Sequence, residues 1–118
     1  EGVRCWYAPE DLKIGEKLRP AIDQSIRVHD KLLLLLSQYS INSNWVESEV
    51  ESALNEERKR NEIVLFPVRL DDVVMKTDQP WAAEIRRTRH IGDFTRWKAE
   101  DSYQLAFERL LRDLKMEG

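Results

Sequence analysis

The chain has 118 residues, 35% of them charged, and 19 basic against 22 acidic side chains leave a net charge of -3. That length fits one domain with a core and little to spare, and so even a charge balance argues against nucleic acid as an obligate partner. No apolar run approaches the roughly 20 residues of a membrane span, and Cys5 as the only cysteine excludes an internal disulfide and points to a cytoplasmic protein.

The first residues already read as a strand rather than a signal peptide: over Gly2 to Tyr7, Val3, Cys5 and Tyr7 alternate with Arg4 and Trp6. Ala8 to Gly15 reads as a loop, limited by Pro9 and closed by Gly15. Its apolar Leu12 and Ile14 either form an interaction surface or fold inward. Glu16 to Asp30 has the pattern of an amphipathic helix with Ala21, Ile22, Ile26 and Val28 on its inner side, provided Pro20 falls in the first turn.

The organising stretch is Lys31 to Arg60. Leu32 to Leu36 is a continuous run of leucine, the pattern of a strand buried on both faces in a parallel sheet. Ligands of such sheets bind beyond the carboxyl ends of the strands, which places Ser37 to Glu49 at a crevice. Asn44 and Glu47 have the spacing of a capping box, so a helix is expected to start there, with Val46, Val50, Ala53 and Leu54 as its buried stripe. Glu49 turns with that stripe. Two roles fit it: a carboxylate satisfied by an amide or an arginine, or a carboxylate with chemical work to do. Glu57 also rotates back toward the stripe, but further down the helix.

Ile63 to Leu70 is a second strand, and Pro67 puts its later half at a sheet end or bulge. Asp71 and Asp72 close it; a turn cap is the expected use of the pair, in preference to a metal or acid–base role. Pro80 to Arg89 reads as a short helix with Pro80 at N1. Arg86, Arg87, Arg89, Arg96 and Lys98 surround a brief strand at His90 to Phe94. They either receive a phosphate or acidic partner or pair with Glu84 and Asp93. Asp101 to Met116 carries Tyr103, Ala106, Phe107, Leu110, Leu111 and Leu114 at helical spacing.

The alternation of strands and helices predicts an α/β domain with a parallel sheet and right-handed crossovers. His29 and His90 are too far apart, with no second thiol, for a metal-ligand spacing. Neither a Gly-rich phosphate loop nor a nucleophile elbow is present.

The segment Ala8-Pro9-Glu10-Asp11-Leu12-Lys13-Ile14-Gly15, the run Leu32 to Ser37 and the segment Ser40 to Glu49 together resemble the Toll/interleukin-1 receptor (TIR) family, most closely its bacterial branch. Phe66 to Asp72 and Arg89 to Phe94 extend the resemblance over nearly the whole chain. It implies a flavodoxin-like parallel sheet with helices on both faces. It also implies cleavage of NAD+ at the nicotinamide–ribose bond, with NAD+ as substrate and no cofactor or metal. Carried over, Glu49 is the catalytic glutamate, four places after Trp45. Trp45, Ser43 and Trp6 fall in the nucleotide pocket, and Trp45 either flanks the nucleotide or packs over the helix start. Glu10, Asp11, Leu12, Lys13, Ile14 and Gly15 form the surface for TIR–TIR self-association, with no nucleic acid or membrane partner.

The resemblance begins at the family's second strand, so residues 1–118 correspond to a partial domain. The family's first strand would lie between the strands at Val3 to Tyr7 and Lys31 to Ser37. Without it each is expected to show an unpaired edge, with a gap of roughly 5 Å per missing strand. The alternatives are a non-catalytic TIR interaction module and, from another class, a receiver-like or deoxyribosyltransferase-like domain. Asp71 and Asp72 lack the spacing of a phosphoacceptor site.

Overall fold

The computed structural model describes residues 3–27 and 30–117; Gly2, Val28 and His29, assigned above to the first strand and first helix, lie outside them. The leucine run forms β2 (Lys31–Leu36), and every one of its residues is buried. It is flanked by β1 (Val3–Trp6) and β3 (Leu65–Arg69), and a two-residue β4 (Gly92–Asp93) completes the order β1-β2-β3-β4, all parallel. Because a strand's side chains alternate, β2 builds two cores at once. Leu32, Leu34 and Leu36 face α2 (Asn44–Arg60) and α4 (Pro80–Thr88). Leu33 and Leu35 face α1 (Leu12–Ser25) and α5 (Glu100–Glu117). Each such leucine, fully buried, contributes roughly 1.5–3 kcal/mol. The remaining helix, α3 (Val73–Lys76), is a single turn. Among the described residues no helix is long and apolar enough to cross a membrane.

The α/β architecture with helices on both faces is as expected, but three details differ. First, β1 pairs directly with β2, Val3 opposite Lys31 through Trp6 opposite Leu34, so the gap anticipated between these strands is closed. Two bare edges satisfy each other's backbone groups rather than leaving them open. Second, the sheet advances in one direction from β1 to β2 to β3, yet α1 and α2 cover opposite faces. The two crossovers therefore have opposite hands, and only one of them can have the favoured right-handed sense. The packing accounts for this: α2 and α4 already cover the Leu32–Leu34–Leu36 face, whereas the other face has α5 alone. Ile14, Leu18 and Ile22 of α1 cover the rest of it, and Lys17 sits 3.8 Å from the centre of the Tyr103 ring on α5.

Third, Ala8 to Gly15 is not a loop. Pro9–Asp11 is a 3-10 turn that runs directly into α1, which places Pro20 in the helix interior instead of its first turn. Gly15 is a packing residue rather than a loop terminator, because a methyl group there would collide with the ring of Tyr7.

Pro67 does not put the later half of its run at a sheet end: Val68 and Arg69 pair on both sides, and among the described residues it is the earlier half that lacks a second neighbour. Pro67 stands in β3 opposite Leu34, but the backbone of Leu65, Pro67 and Arg69 faces away from β2, and β4 begins only opposite Val68. The missing N–H therefore falls where no partner strand runs. One step earlier, Arg89 Nη1 donates to the Leu65 carbonyl at 3.1 Å.

Candidate functional site

The site builds outward from the start of α2. Ser43, not Asn44, is the N-cap: its hydroxyl accepts from the Trp45 amide at 3.1 Å, and Asn44 is already helical. Both residue types favour this position, and the difference of one place removes Glu47 from the capping-box geometry. Val46, Val50 and Ala53 are buried against the sheet as the stripe predicts, whereas Leu54 is only partly buried.

Glu49 follows from that stripe. Its side chain is 31% exposed and points toward β1, where Arg4 Nη1 lies 3.5 Å from Oε1. Arg4 itself is 63% exposed, and its pair with Glu49 is longer than a charge-assisted hydrogen bond of 2.7–2.9 Å. Trp6, two residues along β1 and so on the same face, is half-buried against the Leu32–Leu34–Leu36 cluster. Arg4, Trp6 and Glu49 thus gather on one side of the sheet. Trp45 is 73% exposed, which leaves packing over the helix start out of its roles.

Glu57 has a different environment. Its Oε2 accepts from the Val64 and Leu65 amides, each at 2.9 Å, and Arg89 grips both oxygens, with Nη2 at 2.8 Å from Oε1. Burial pushes this carboxyl up, but the Arg89 hydrogen bond, the two amides and the Arg89 charge together hold it below its ordinary value. Every lone pair that matters is occupied, so Glu57 is structural.

The segment read as an association surface divides. Glu10, Leu12 and Lys13 face outward, whereas Ile14 and Gly15 are turned into the core. Asp11 is half-buried and accepts from the Ser37 hydroxyl at 2.6 Å. Burial, with the charges of Asp71 and Glu10, raises this carboxyl above its ordinary value, against the lowering effect of Ser37. Asp71 caps the neighbouring turns, accepting from the Gln38 amide at 2.8 Å and the Val73 amide at 3.0 Å, which is the cap expected of it. Asp72 pairs with Arg69 instead. These bonds tie the carboxyl ends of β2 and β3 and the start of α1 into one rim, from which Ser43 and α2 depart.

The basic residues around β4 are mostly occupied. Arg87 pairs with Glu84, Arg89 with Glu57, and Arg86 Nη1 donates to the Val74 carbonyl at 2.8 Å. A cleft of about 240 Å³ lies between the amino half of β3 and α5, with Leu65, Pro67, His90, Arg109 and Asp113 in its wall. Arg109 Nε already donates to both Asp113 oxygens at 3.2 Å, and burial and the Arg109 charge lower His90 below its usual value. In that cleft Asp113 is engaged by Arg109, which leaves the His90 imidazole as the basic group in its wall. A second cleft, of about 320 Å³, runs down α2 beside β1, with Arg4, Ser52, Ala53, Glu56 and Arg60 among its walls. Burial pushes the Cys5 thiol up to about 11, so it is no nucleophile near neutral pH.

The contacts of Arg4 with Glu49, of Asp11 with Ser37 and of Arg89 with Glu57 are ones the sequence reading does not name. For Arg4 a signal existed: strand alternation puts it on the face of Trp6.

Comparison with known proteins adds the family. The NAD(+) hydrolase TcpC of Escherichia coli O6:H1 is 28% identical over 67 residues, 57% of this chain and 22% of that protein. The 2' cyclic ADP-D-ribose synthase BtTIR of Bacteroides thetaiotaomicron is 28% identical over 64 residues, 54% of this chain and 22% of that protein. The stimulator of interferon genes protein of Magallana gigas is 29% identical over 72 residues, 61% of this chain and 17% of that protein. The chain spans less than a quarter of the length of each of these relatives. No solved structure matches. The profile of the TIR domain family matches residues 1–111, and with its parallel sheet and helices on both faces the chain belongs to that family.

Proposed function

We propose that this TIR domain cleaves NAD+ at the nicotinamide–ribose bond, with Glu49 as the catalytic carboxylate. The observation that carries the reading is the state of Glu49: a half-buried carboxylate near the start of α2 whose one ion pair among the described residues is long and made to an exposed arginine. Two of the similar proteins are named as an NAD(+) hydrolase, TcpC, and as a 2' cyclic ADP-D-ribose synthase, BtTIR, which supports the same reading.

The chemistry needs little else. The nicotinamide ring nitrogen is positively charged in the substrate, so when the bond to ribose C1' breaks, the electron pair neutralises the leaving group and no acid is required. Positive charge collects on C1' and the ring oxygen, and a carboxylate in a partly desolvated setting stabilises it or holds the ribose hydroxyls. Water then forms the new bond at C1' and releases a proton, giving ADP-ribose. Exposed Trp45 offers a face for the nucleotide, Trp6 walls the same side of the sheet, and Ser43 fixes the start of the helix.

Nicotinamide release from NAD+ by the full-length protein and its Glu49→Ala variant tests this. Release by the wild type that disappears in the variant is expected; equal rates, or none from the wild type, would remove the reading. Self-association belongs to the proposal through the outward Glu10, Leu12 and Lys13. Sedimentation of Leu12→Asp is expected to show a smaller assembly than the wild type, and an unchanged one would count against this surface.

A further inference from the structure

Gln79, at the start of α4, reaches the turn from which α2 departs. Its Nε2 donates to the Ile41 carbonyl at 2.9 Å and to Asn42 Oδ1 at 3.0 Å. A carbonyl oxygen can only accept, so the amide presents its nitrogen here, and its two N–H donors meet two acceptors. The residues just before are closed by their own bonds. Ser40 Oγ accepts from the Ser37 amide at 2.9 Å, and the Ser37 carbonyl accepts from the Ser40 and Ile41 amides, each at 3.1 Å. Beyond that closed turn, Gln79 ties the Ile41 carbonyl and the Asn42 side chain to α4, immediately before the Ser43 cap and the exposed Trp45. The anchor is firm. The Gln79 carbonyl accepts from the Ala82 and Ala83 amides at 3.1 Å, and Arg86 Nη1 holds the Val74 and Thr77 carbonyls at 2.8 and 3.2 Å. The Gln79 side chain makes no cap bond to its own helix, so its donors serve the turn before α2.

We propose that Gln79 is a positioning residue for the substrate: it fixes the Ile41–Asn42 turn, and through it the placement of Ser43 and Trp45 where the nucleotide docks. This rests on the NAD+-cleaving reading. Glu49 lies about one turn beyond Trp45, and the burial of Val46 and Val50 against the sheet sets its direction. Loosening the turn should therefore weaken binding and leave the bond-breaking step nearly intact.

The test is steady-state NAD+ cleavage by the full-length wild type, Gln79→Met, Asn42→Ala and the double variant. Gln79→Met keeps the length of the side chain and removes both donors. It should raise KM on the order of five-fold, with kcat within about two-fold of the wild type. Asn42→Ala removes one of the two acceptors and should raise KM less. Because both changes break the same tie, the double variant should do no more than Gln79→Met alone. An unchanged KM in Gln79→Met, or effects of the two changes that simply multiply, would overturn the role of Gln79 while leaving NAD+ cleavage in place. So would a fall in kcat with KM unchanged, the mark of a disturbed catalytic step rather than a displaced binding surface. No cleavage by the wild type would remove both proposals, an outcome distinct from the others.

Discussion

Glu49 and Glu57 leave the same helix about two turns apart, and their surroundings are opposite. Glu57 and Arg89 are each 11% exposed at the side chain, and two backbone amides complete the carboxylate's bonding. Among the described residues Glu49 has one long contact, to an arginine that water also reaches. A saturated carboxylate fixes structure; one with a single replaceable partner remains available to a ligand. Periodicity alone cannot make this distinction, because it reports which way a side chain turns and not what it meets there.

The sharpest way to break the comparison is Glu57→Ala. It strands the buried Arg89 guanidinium and two amides, and should cost about 3–5 kcal/mol in denaturant unfolding. Arg89→Lys comes next: it loses the two-pronged grip and the donor to the Leu65 carbonyl, for about 1–3 kcal/mol by the same measurement. Acid titration of stability gives a third test. The folded pKa of Glu57 lies below its ordinary 4.5, so its contribution is complete above that pH and is lost as pH falls through the folded value. Stability measured from pH 6 downward should therefore drop below about 4.5, with a shallower slope in Glu57→Gln. The smallest effect belongs to Glu49→Ala, expected within about 1 kcal/mol of the wild type, as for other exposed pairs. A large loss there would make Glu49 as structural as Glu57 and end the contrast.

Much of the fold is legible in the sequence where the signal is a long period or a continuous apolar run. The leucines of β2, the stripe of α2, the N1 proline of α4 and the 3.6-residue period of α5 all correspond to what the structure contains. Legibility fails where punctuation residues have a second use. Pro9 and Gly15 suggest a loop, yet Pro9 opens a helical turn and Gly15 makes room for Tyr7. It fails again over distance: nothing local to β1 says that Arg4 will meet a residue on α2, and nothing near Glu57 says that Arg89 will reach it. The crossover hands were misjudged for a related reason. The rule treats each strand–helix–strand unit alone, whereas the side on which α1 settles depends on which sheet face the later helices leave bare. For the candidate site, the stripe of α2 gives the direction in which Glu49 turns, but not the ion pair it makes there with Arg4.

Pro67 and Arg89 together have a consequence for solubility. Among the described residues no strand pairs with the outer side of the lower half of β3, and unpaired strand edges are where a foreign chain can add. An invader laid along it would find no hydrogen to accept at position 67, and at position 65 an oxygen already taken by a guanidinium. That side of β3 is thus closed to strand addition twice over, by a proline and by the arginine that also grips Glu57.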